Sequence, residues 1–343
     1  MSLRLWLTSI ACLALTAGAR TAAGDAYPKP APNSPKEAMA KTFSVDKGAA
    51  FLDAAAVNWT TGRKCATCHT NVAYLMAAPA LGAKSKKATG IVRDFFERQV
   101  ARWEEGKEPR NDSEVVAIAA ALALHDAGTT GKLHLRTRQA LDRMWQRQQE
   151  DGAWDWEKCG WPPLEHDDYY GAVLAAIAAG TAPGDHAKTD QARKGLEKLR
   201  DYLKKNKPPT LHHKAMLLWA SQKVDGVMTA AVREETIKAL LAKQRDDGGW
   251  SLPSLGDWKG FDGRPNDLKA PSDGYATGFV VFVLRQAGVP ADREPVKKGV
   301  AWLKANQRAS GRWFTQSLNT DRAHYISHAG TAFAVLALKA CEQ

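Results

Sequence analysis

The chain has 343 residues, of which 44% are hydrophobic and 25% are charged, and its formal net charge is +11. This balance excludes a disordered low-complexity chain, a collagen and a polytopic membrane protein, and it predicts one large globular core. The basic residues are spread along the chain, and the densest group, at 204–207, is typical of a solvated helix end. We therefore expect no nucleic-acid partner.

Residues 1–23 have the pattern of a cleaved secretory signal. Arg4 precedes an apolar run over 5–17, and small residues at 17–19 and 21–23 suit a cleavage site. The run is shorter than the roughly 20 residues that span a bilayer, and no later stretch is long enough. The sequence thus predicts a soluble protein of the periplasm or another exported compartment, with no transmembrane segment after signal cleavage.

The next feature is Cys65-Ala66-Thr67-Cys68-His69, the C-x-x-C-H pattern of covalent c-type haem attachment. Two cysteines at this spacing reach the vinyl groups on one porphyrin edge, while the adjacent imidazole meets the iron. The pattern predicts one haem c, held by Cys65 and Cys68, with His69 as the proximal ligand of the haem iron. A redox dithiol, half of a zinc site and a structural disulfide are the alternatives.

The second axial ligand is left open. Met76 lies two helical turns from His69, so one short helix would not easily place them on opposite haem faces. The candidates elsewhere are Met39, His125, Met144, Met216 and the histidines described below. The remaining cysteines after signal cleavage, Cys159 and Cys341, could pair or remain thiols.

Segment 24–90 is predicted to be an appendage that carries the haem. Prolines at 28, 30, 32 and 35 indicate an extended lead-in, and 45–55 is predicted to be a helix. The segment is too short for an independent cytochrome domain, so we expect the haem to pack against the rest of the chain.

From about residue 91 to 343 the chain alternates two kinds of predicted helix. One kind is charged and amphipathic, with apolar residues at three-to-four spacing, over 91–105, 135–149, 191–205, 233–244 and 295–307. The other kind is apolar nearly all round, over 113–126, 169–179, 212–221, 275–286 and 329–340. We expect outer and inner layers respectively, and hence about five helical pairs in a double-layered ring.

Three turns at the ends of charged helices share a Gln-x-x-x-Gly-x-Trp pattern. The copies are Gln148/Gly152/Trp154, Gln244/Gly248/Trp250 and Gln307/Gly311/Trp313. Gly permits the left-handed turn, the Gln amide can satisfy groups at helix ends, and Trp covers the corner. With these repeats the chain resembles the terpene cyclase and prenyltransferase superfamily, whose squalene-hopene cyclases carry Gln-to-Trp repeats. The resemblance implies an all-α fold with a single (α/α) toroid, whereas those cyclases have two such domains.

The resemblance also implies a place for a catalytic acid. Class II cyclases protonate an alkene with the middle Asp of an Asp-x-Asp-Asp motif at the head of an inner helix, and here 165–168 read Glu-His-Asp-Asp. Asp167 would be the acid, flanked by Asp168 and by Glu165 in place of the first Asp. One alternative is helix capping, because Asp112 and Asp273 stand at the same position in other repeats. The other is that these carboxylates bind a substrate or a metal.

Histidines and aromatic residues also recur at the predicted heads of inner helices. They are His166, His212, His213, His324, His328, Trp156, Trp161, Trp258, Tyr170, Tyr275 and Tyr325. In a closed ring these heads converge, so we predict an aromatic-rimmed cavity for the haem or a hydrophobic ligand. The alternative is that each histidine satisfies a separate helix end.

These features predict an exported monohaem c-type protein acting in redox chemistry. It would transfer electrons to a partner protein or oxidise an apolar, isoprenoid-like small molecule. The alternatives are a non-redox class II terpene or squalene cyclase-like enzyme that uses Asp167, and a ligand-binding module with a structural haem. The sequence does not decide whether the protein is an enzyme.

Overall fold

The computed structural model describes residues 27–260, 262–318, 321 and 325–342, so the predicted signal and His324 lie outside the described residues. Over these residues the chain forms twelve α-helices and no β-strand. They are α1 Val45–Gly62, α2 Ala73–Leu81, α3 Lys86–Glu104, α4 Asp112–Thr129, α5 Leu135–Gln146, α6 Asp168–Thr181, α7 Asp190–Lys205, α8 Leu211–Ala220, α9 Ala230–Leu241, α10 Gly274–Gln286, α11 Glu294–Ala305 and α12 Ile326–Ala340.

The even-numbered helices form the inner layer of an (α/α) toroid. Each packs against the next, and α12 packs against α2 to close the ring. These helices are apolar all round, and in α4 every residue from Val115 to Ala123 is at most 2% exposed. The odd-numbered helices lie outside and bury one face: α7 buries Ala192, Leu196, Leu199 and Leu203 and exposes most of its charged residues. The predicted all-α toroid is confirmed.

The Gln-x-x-x-Gly-x-Trp turns join neighbouring outer helices. Each Gln donates to its own Gly carbonyl and to a carbonyl of the next outer helix or its cap, at 2.7–2.9 Å. Each Trp donates from Nε1 to a carbonyl of the preceding outer helix. The three glycines have φ between 86° and 99°, as the left-handed turn requires. These turns are fold elements, as the sequence predicts.

The structure differs from the sequence reading at residues 45–81, where the predicted appendage contributes a further pair to the ring. Helix α1 packs against α3 and α12, and α2 lies between α4 and α12. Gln307 completes the circle, because its amide donates to the Ser44 carbonyl and its Oε1 accepts from the Ser44 N–H. The pair carries no Gln-x-x-x-Gly-x-Trp turn, and α2 is short and contains Pro79, which is why its pattern is weak.

Among the described residues, no helix combines the length and the apolarity that a bilayer span requires.

Candidate functional site at the heads of the inner helices

The inner helices begin at one end of the toroid, which we call the head mouth. Four of them are capped there in the same way: Asn111, Asp167, Thr210 and Asp273 each accept a hydrogen bond from a backbone N–H three residues on. A π-helical turn, Cys68–Val72, leads into α2 and brings the C-x-x-C-H motif to this mouth. The head mouth therefore gathers helix caps and the C-x-x-C-H motif at one end of the ring.

The loop of the motif is held by Asn71. Its Oδ1 accepts from the Thr67 N–H at 2.9 Å, and its Nδ2 donates to the Cys65 carbonyl at 3.0 Å. Asn71 is fully buried, so these bonds are shielded from water. One buried amide therefore holds the backbone of the motif at Cys65 and Thr67.

His69 is 1% exposed and its ring is oriented from two sides. Its Nδ1 lies 2.7 Å from Thr70 Oγ1, and the Trp59 ring meets it edge-on at 4.9 Å. Thr70 Oγ1 also lies 2.9 Å from Nδ1 of His328 on α12, which stacks on Tyr325 at 5.1 Å. The imidazole of the motif is thus tied through Thr70 to the last inner helix.

None of the four described cysteines, Cys65, Cys68, Cys159 and Cys341, forms a disulfide bond. Burial raises the pKa of the Cys68 thiol well above its usual value, and the charges of Glu165 and Glu157 raise it further. The same causes raise the pKa of Cys159 to about 11. Both side chains are therefore thiols, and Cys159 and Cys341 are not paired with each other.

Glu165 is the carboxyl nearest the motif. Its Oε1 accepts from Thr67 Oγ1 at 3.4 Å, between the two cysteines in sequence. Burial raises its pKa to about 7, and repulsion from Glu157 adds to the effect. Close to neutral pH this carboxyl is therefore present in both protonation states.

Asp167 has one oxygen in a helix cap and the other beside an imidazole. Oδ1 accepts from the Tyr170 N–H at 3.0 Å, which caps α6, and Oδ2 lies 3.0 Å from His213 Nε2. The other ring nitrogen of His213 lies 2.8 Å from Thr210 Oγ1. Burial raises the pKa of Asp167, but His213 and the Tyr170 N–H outweigh it and lower the pKa overall. This geometry gives Asp167 the capping role, and its lowered pKa is the opposite of what a proton donor needs.

Asp168 faces the preceding loop. Its Oδ1 accepts from the Trp156 N–H at 2.9 Å and pairs with Lys158 at 2.8 Å. Trp156 is itself buried against Gly171 and donates to the Leu164 carbonyl. Asp168 and Trp156 therefore hold the loop that carries Glu165.

Several predicted cavity residues meet around His212, which is fully buried. Its Nε2 lies 2.9 Å from the Tyr275 hydroxyl, and its ring stacks on Phe279 at 4.5 Å. Tyr170 and Trp258 lie 6.3 and 5.9 Å from it by ring centroid. Burial lowers the pKa of His212 well below its usual value, so the ring is neutral. The head mouth thus has a packed aromatic centre.

Other predicted residues lie apart from this centre. His166 is exposed, and Trp161 is part-exposed in a backbone bridge with Glu165. Of the candidate second haem ligands, Met39 is 43% exposed, His125 contacts Arg93 near the far end of α4, Met144 belongs to the outer helix α5, and Met216 is buried in α8. Among the predicted histidines, His328 is the one linked to His69 through Thr70.

The sequence did not predict roles for Asn71, Thr67 and Glu157. Asn71 and Thr67 hold the loop of the motif, and the charge of Glu157 raises the pKa of Cys68. Asn71 lies two residues after His69, close enough to be suspected of a local bond to the loop. Glu157 has no such signal, because its approach to Glu165 depends on the folded loop.

No family model matches the chain, and no curated protein matches it in sequence. Solved structures share its fold. The ent-copalyl diphosphate synthase from Streptomyces platensis is 18% identical over 80% of this chain, with a TM-score of 0.53, and this chain spans 50% of that protein. A variant of a type II terpene cyclase from Scytonema, in complex with its substrate geranylgeranyl dihydroxybenzoate, is 14% identical, with a TM-score of 0.54 over 87% of this chain and 96% of that one. An α-1,6-mannanase from Salegentibacter is 12% identical, with a TM-score of 0.51 over 88% and 100%.

At these identities the likeness shows the fold alone. The chain has a terpene-cyclase-like (α/α) toroid, a fold on which a cyclase and a mannanase carry different chemistries.

Proposed function

We propose that the protein is an exported c-type haem protein that acts in redox chemistry, with its haem attached at the head mouth. The observation that carries the proposal is the C-x-x-C-H motif, which combines two unbonded thiols with a buried and oriented imidazole. Export is part of the proposal because c-type haem needs an attachment machinery outside the cytoplasm.

The residues present suit a haem c. Cys65 and Cys68 would form the two thioether bonds, and His69 would bind the iron. Thr70 engages Nδ1 of His69, so Nε2 would be the nitrogen that binds the iron. Trp59 and Tyr325 supply aromatic surface beside the imidazole. A bound haem c would supply one-electron transfer.

The rest of the head mouth would set the surroundings of the haem. Asn71 holds the loop of the motif, and the neutral His212 with Tyr275 and Phe279 excludes water from the centre of the ring. The net charge, +11 for the whole chain and +9 without Arg4 and Arg20 of the predicted signal, favours a redox partner with an acidic surface. An apolar small molecule as the electron donor is the other form of the same proposal.

The experiment is expression with a cytochrome c maturation system, followed by a pyridine haemochrome assay. We expect one covalent haem per chain, which the double substitution Cys65→Ala/Cys68→Ala removes. Cys159→Ser and Cys341→Ser are matched controls, since both residues lie outside the motif and form no disulfide bond. Absence of covalent haem in the matured wild-type protein contradicts the proposal.

Carbon monoxide added to the reduced protein separates the possible roles of the haem. An unchanged spectrum indicates a six-coordinate electron carrier or a structural haem, and a reduction potential measurement distinguishes these two. A shifted spectrum indicates an open iron site and substrate oxidation.

A second candidate is an acid-dependent, cyclase-like enzyme without redox chemistry. It is favoured by the type II cyclase fold and by Glu165, whose pKa of about 7 leaves a proton available in a largely buried site. If no haem is found, turnover of prenyl substrates by the wild type and its loss in Glu165→Gln would support this function.

A further inference from the structure

The inner helices end at the opposite end of the toroid, which we call the tail mouth. A cavity of about 480 Å³ opens there, within the range of roughly 300–1,000 Å³ typical of small-molecule sites. Each even-numbered helix contributes to the wall. The residues are Met76, Leu124, Thr181, Trp219, Phe282 and Leu336. The cavity is therefore formed by the ring itself and is separate from the haem motif.

Apart from Thr181, Gln286 and two lysines, the side chains that line this cavity are apolar. Trp219 and Phe282 meet edge-to-face at 5.0 Å and are at most 6% exposed, so they are rigid parts of the core. Met76 beside them is 8% exposed. Nearer the opening, Leu124 and Leu336 are half-buried and leave apolar surface toward solvent. An apolar chain entering here would meet hydrocarbon and aromatic surface along its length.

The charged residues that line the cavity are two lysines, both exposed. Lys339 Nζ pairs with the carboxylate of Glu342 at 2.9 Å. Lys223 follows the end of α8, and no carboxylate of the described residues lies within 4 Å of its ammonium group. No acidic residue lines this part of the described structure. The opening thus carries one paired and one unpaired ammonium group above an apolar cavity.

Lysines near helix C-termini also complement the helix dipole. That role accounts for Lys223 at the end of α8, but it does not account for the concave apolar surface beneath it, which Trp219 and Phe282 line. Concave apolar surface with a few polar groups at its edge is typical of ligand sites. The combination of an open apolar cavity and an unpaired cation has the pattern of a site for an amphiphile.

We propose that the tail mouth binds a single-chain amphiphile, with its apolar chain between the inner helices and an anionic head, carboxylate or phosphate, at Lys223. The site does not depend on the haem. It places an apolar ligand at the mouth opposite to that predicted from the sequence, and Met76 puts this ligand on the same helix that follows the haem motif.

The test is calorimetric titration of the purified protein with decanoate, decyl phosphate and decanol. We expect both anions to bind, and decanol to bind about fivefold more weakly, as loss of one exposed ion pair implies. Lys223→Ala should weaken the anions by about the same factor and leave decanol unchanged. Whichever anion binds more tightly identifies the preferred head group.

Two further variants make the test decisive. Ala127→Trp, at an exposed lining position, should fill the opening and abolish binding of all three probes while the far-UV circular dichroism stays unchanged. Lys297→Ala, on the outer helix α11, is the matched lysine control and should bind like the wild type. Equal affinity for decanol and decanoate, or full binding by Ala127→Trp, would overturn the proposal. Binding should also survive in Cys65→Ala/Cys68→Ala, so the haem proposal and this one fail separately.

Discussion

The head mouth and the tail mouth are built from the two ends of the same helices, yet their side chains differ in kind. At the heads stand Asp167, Asp273, His212 and Glu165, with helix caps and perturbed pKa values. At the tails stand leucine, alanine and aromatic side chains, with lysine at the opening.

The difference follows from what each helix end needs. The first N–H groups of a helix have no partner within it, so the heads require side-chain acceptors. At the tails, carbonyls can be satisfied by a few long donors, as Arg285 does for Ala340 and Val289. Polar residues at the heads therefore serve folding first, and a role in chemistry requires evidence beyond their presence, which the capping geometry of Asp167 does not supply.

The largest expected contrast is between two glycines with positive φ. Gly311 lies at the head end with φ 98°, and an added methyl group would collide with the Lys47 carbonyl of α1. Gly311→Ala should lower the free energy of unfolding by about 4 kcal/mol, from backbone strain and overpacking together. Gly288 lies at the tail end with φ 84° and open space around it. Gly288→Ala should therefore lower the free energy of unfolding by about 1 kcal/mol, from backbone strain alone. Urea unfolding measures both, and equal losses would contradict the contrast.

The next effect concerns the cap of α6. Asp167→Ala removes the acceptor for the Tyr170 N–H and leaves the buried His213 without its carboxylate, so we expect a loss of about 2 kcal/mol by urea unfolding. Asp167→Asn keeps the cap and should lose about half as much. The exposed Asp185→Ala is the control and should have no measurable effect. A loss for Asp167→Asn as large as that for Asp167→Ala would show that capping is not the main role.

Glu165 gives the head mouth a pH dependence of stability. Its pKa is about 7 in the folded protein, above its usual value. Its contribution to the free energy of unfolding is therefore fully present below about pH 4.5 and is lost as the pH rises through 7. Glu165→Gln should therefore be more stable than the wild type at pH 8 by about 1–2 kcal/mol, allowing for partial exposure, and similar at pH 4. Unfolding at the two pH values tests this, with the exposed Glu235→Gln as control. A gain of the same size at both pH values would place its origin outside this ionisation.

The smallest effect is expected at the tail opening. Lys223→Ala should change the free energy of unfolding by less than about 0.5 kcal/mol, because the side chain is exposed and has no ion pair among the described residues. A loss above about 1 kcal/mol would indicate that Lys223 is needed for the fold and would weaken its assignment to a ligand.

Much of the fold could be predicted because the same pattern of one charged and one apolar helix recurs along the sequence. The inner helices of the five predicted pairs are apolar all round, and the three Gln-x-x-x-Gly-x-Trp turns have the expected bonds. The sequence did not predict that α1 and α2 join the ring, since their place in it depends on contacts with α12 and Gln307 far along the chain.

The candidate site was predictable only in part. The C-x-x-C-H motif is local in sequence, so the proximity of Cys65, Cys68 and His69 could be predicted directly. The position of His166 on the surface and of His212 in the core could not, because both precede or begin an inner helix and differ only in the direction of the side chain. The tail cavity gave no signal, because its wall residues have the same composition as a filled core.

The bond between Gln307 and Ser44 joins positions 263 residues apart in sequence. Helix α1 therefore lacks its final neighbours, Trp313 and α12, until nearly the whole chain is available. Contacts of such long range slow folding, because the intervening chain must first be ordered. A chain ending before α11 would leave the faces of α1 and α2 that contact α12 uncovered, so during biosynthesis the packing of these two helices is completed last, after the C-terminal repeats have been made.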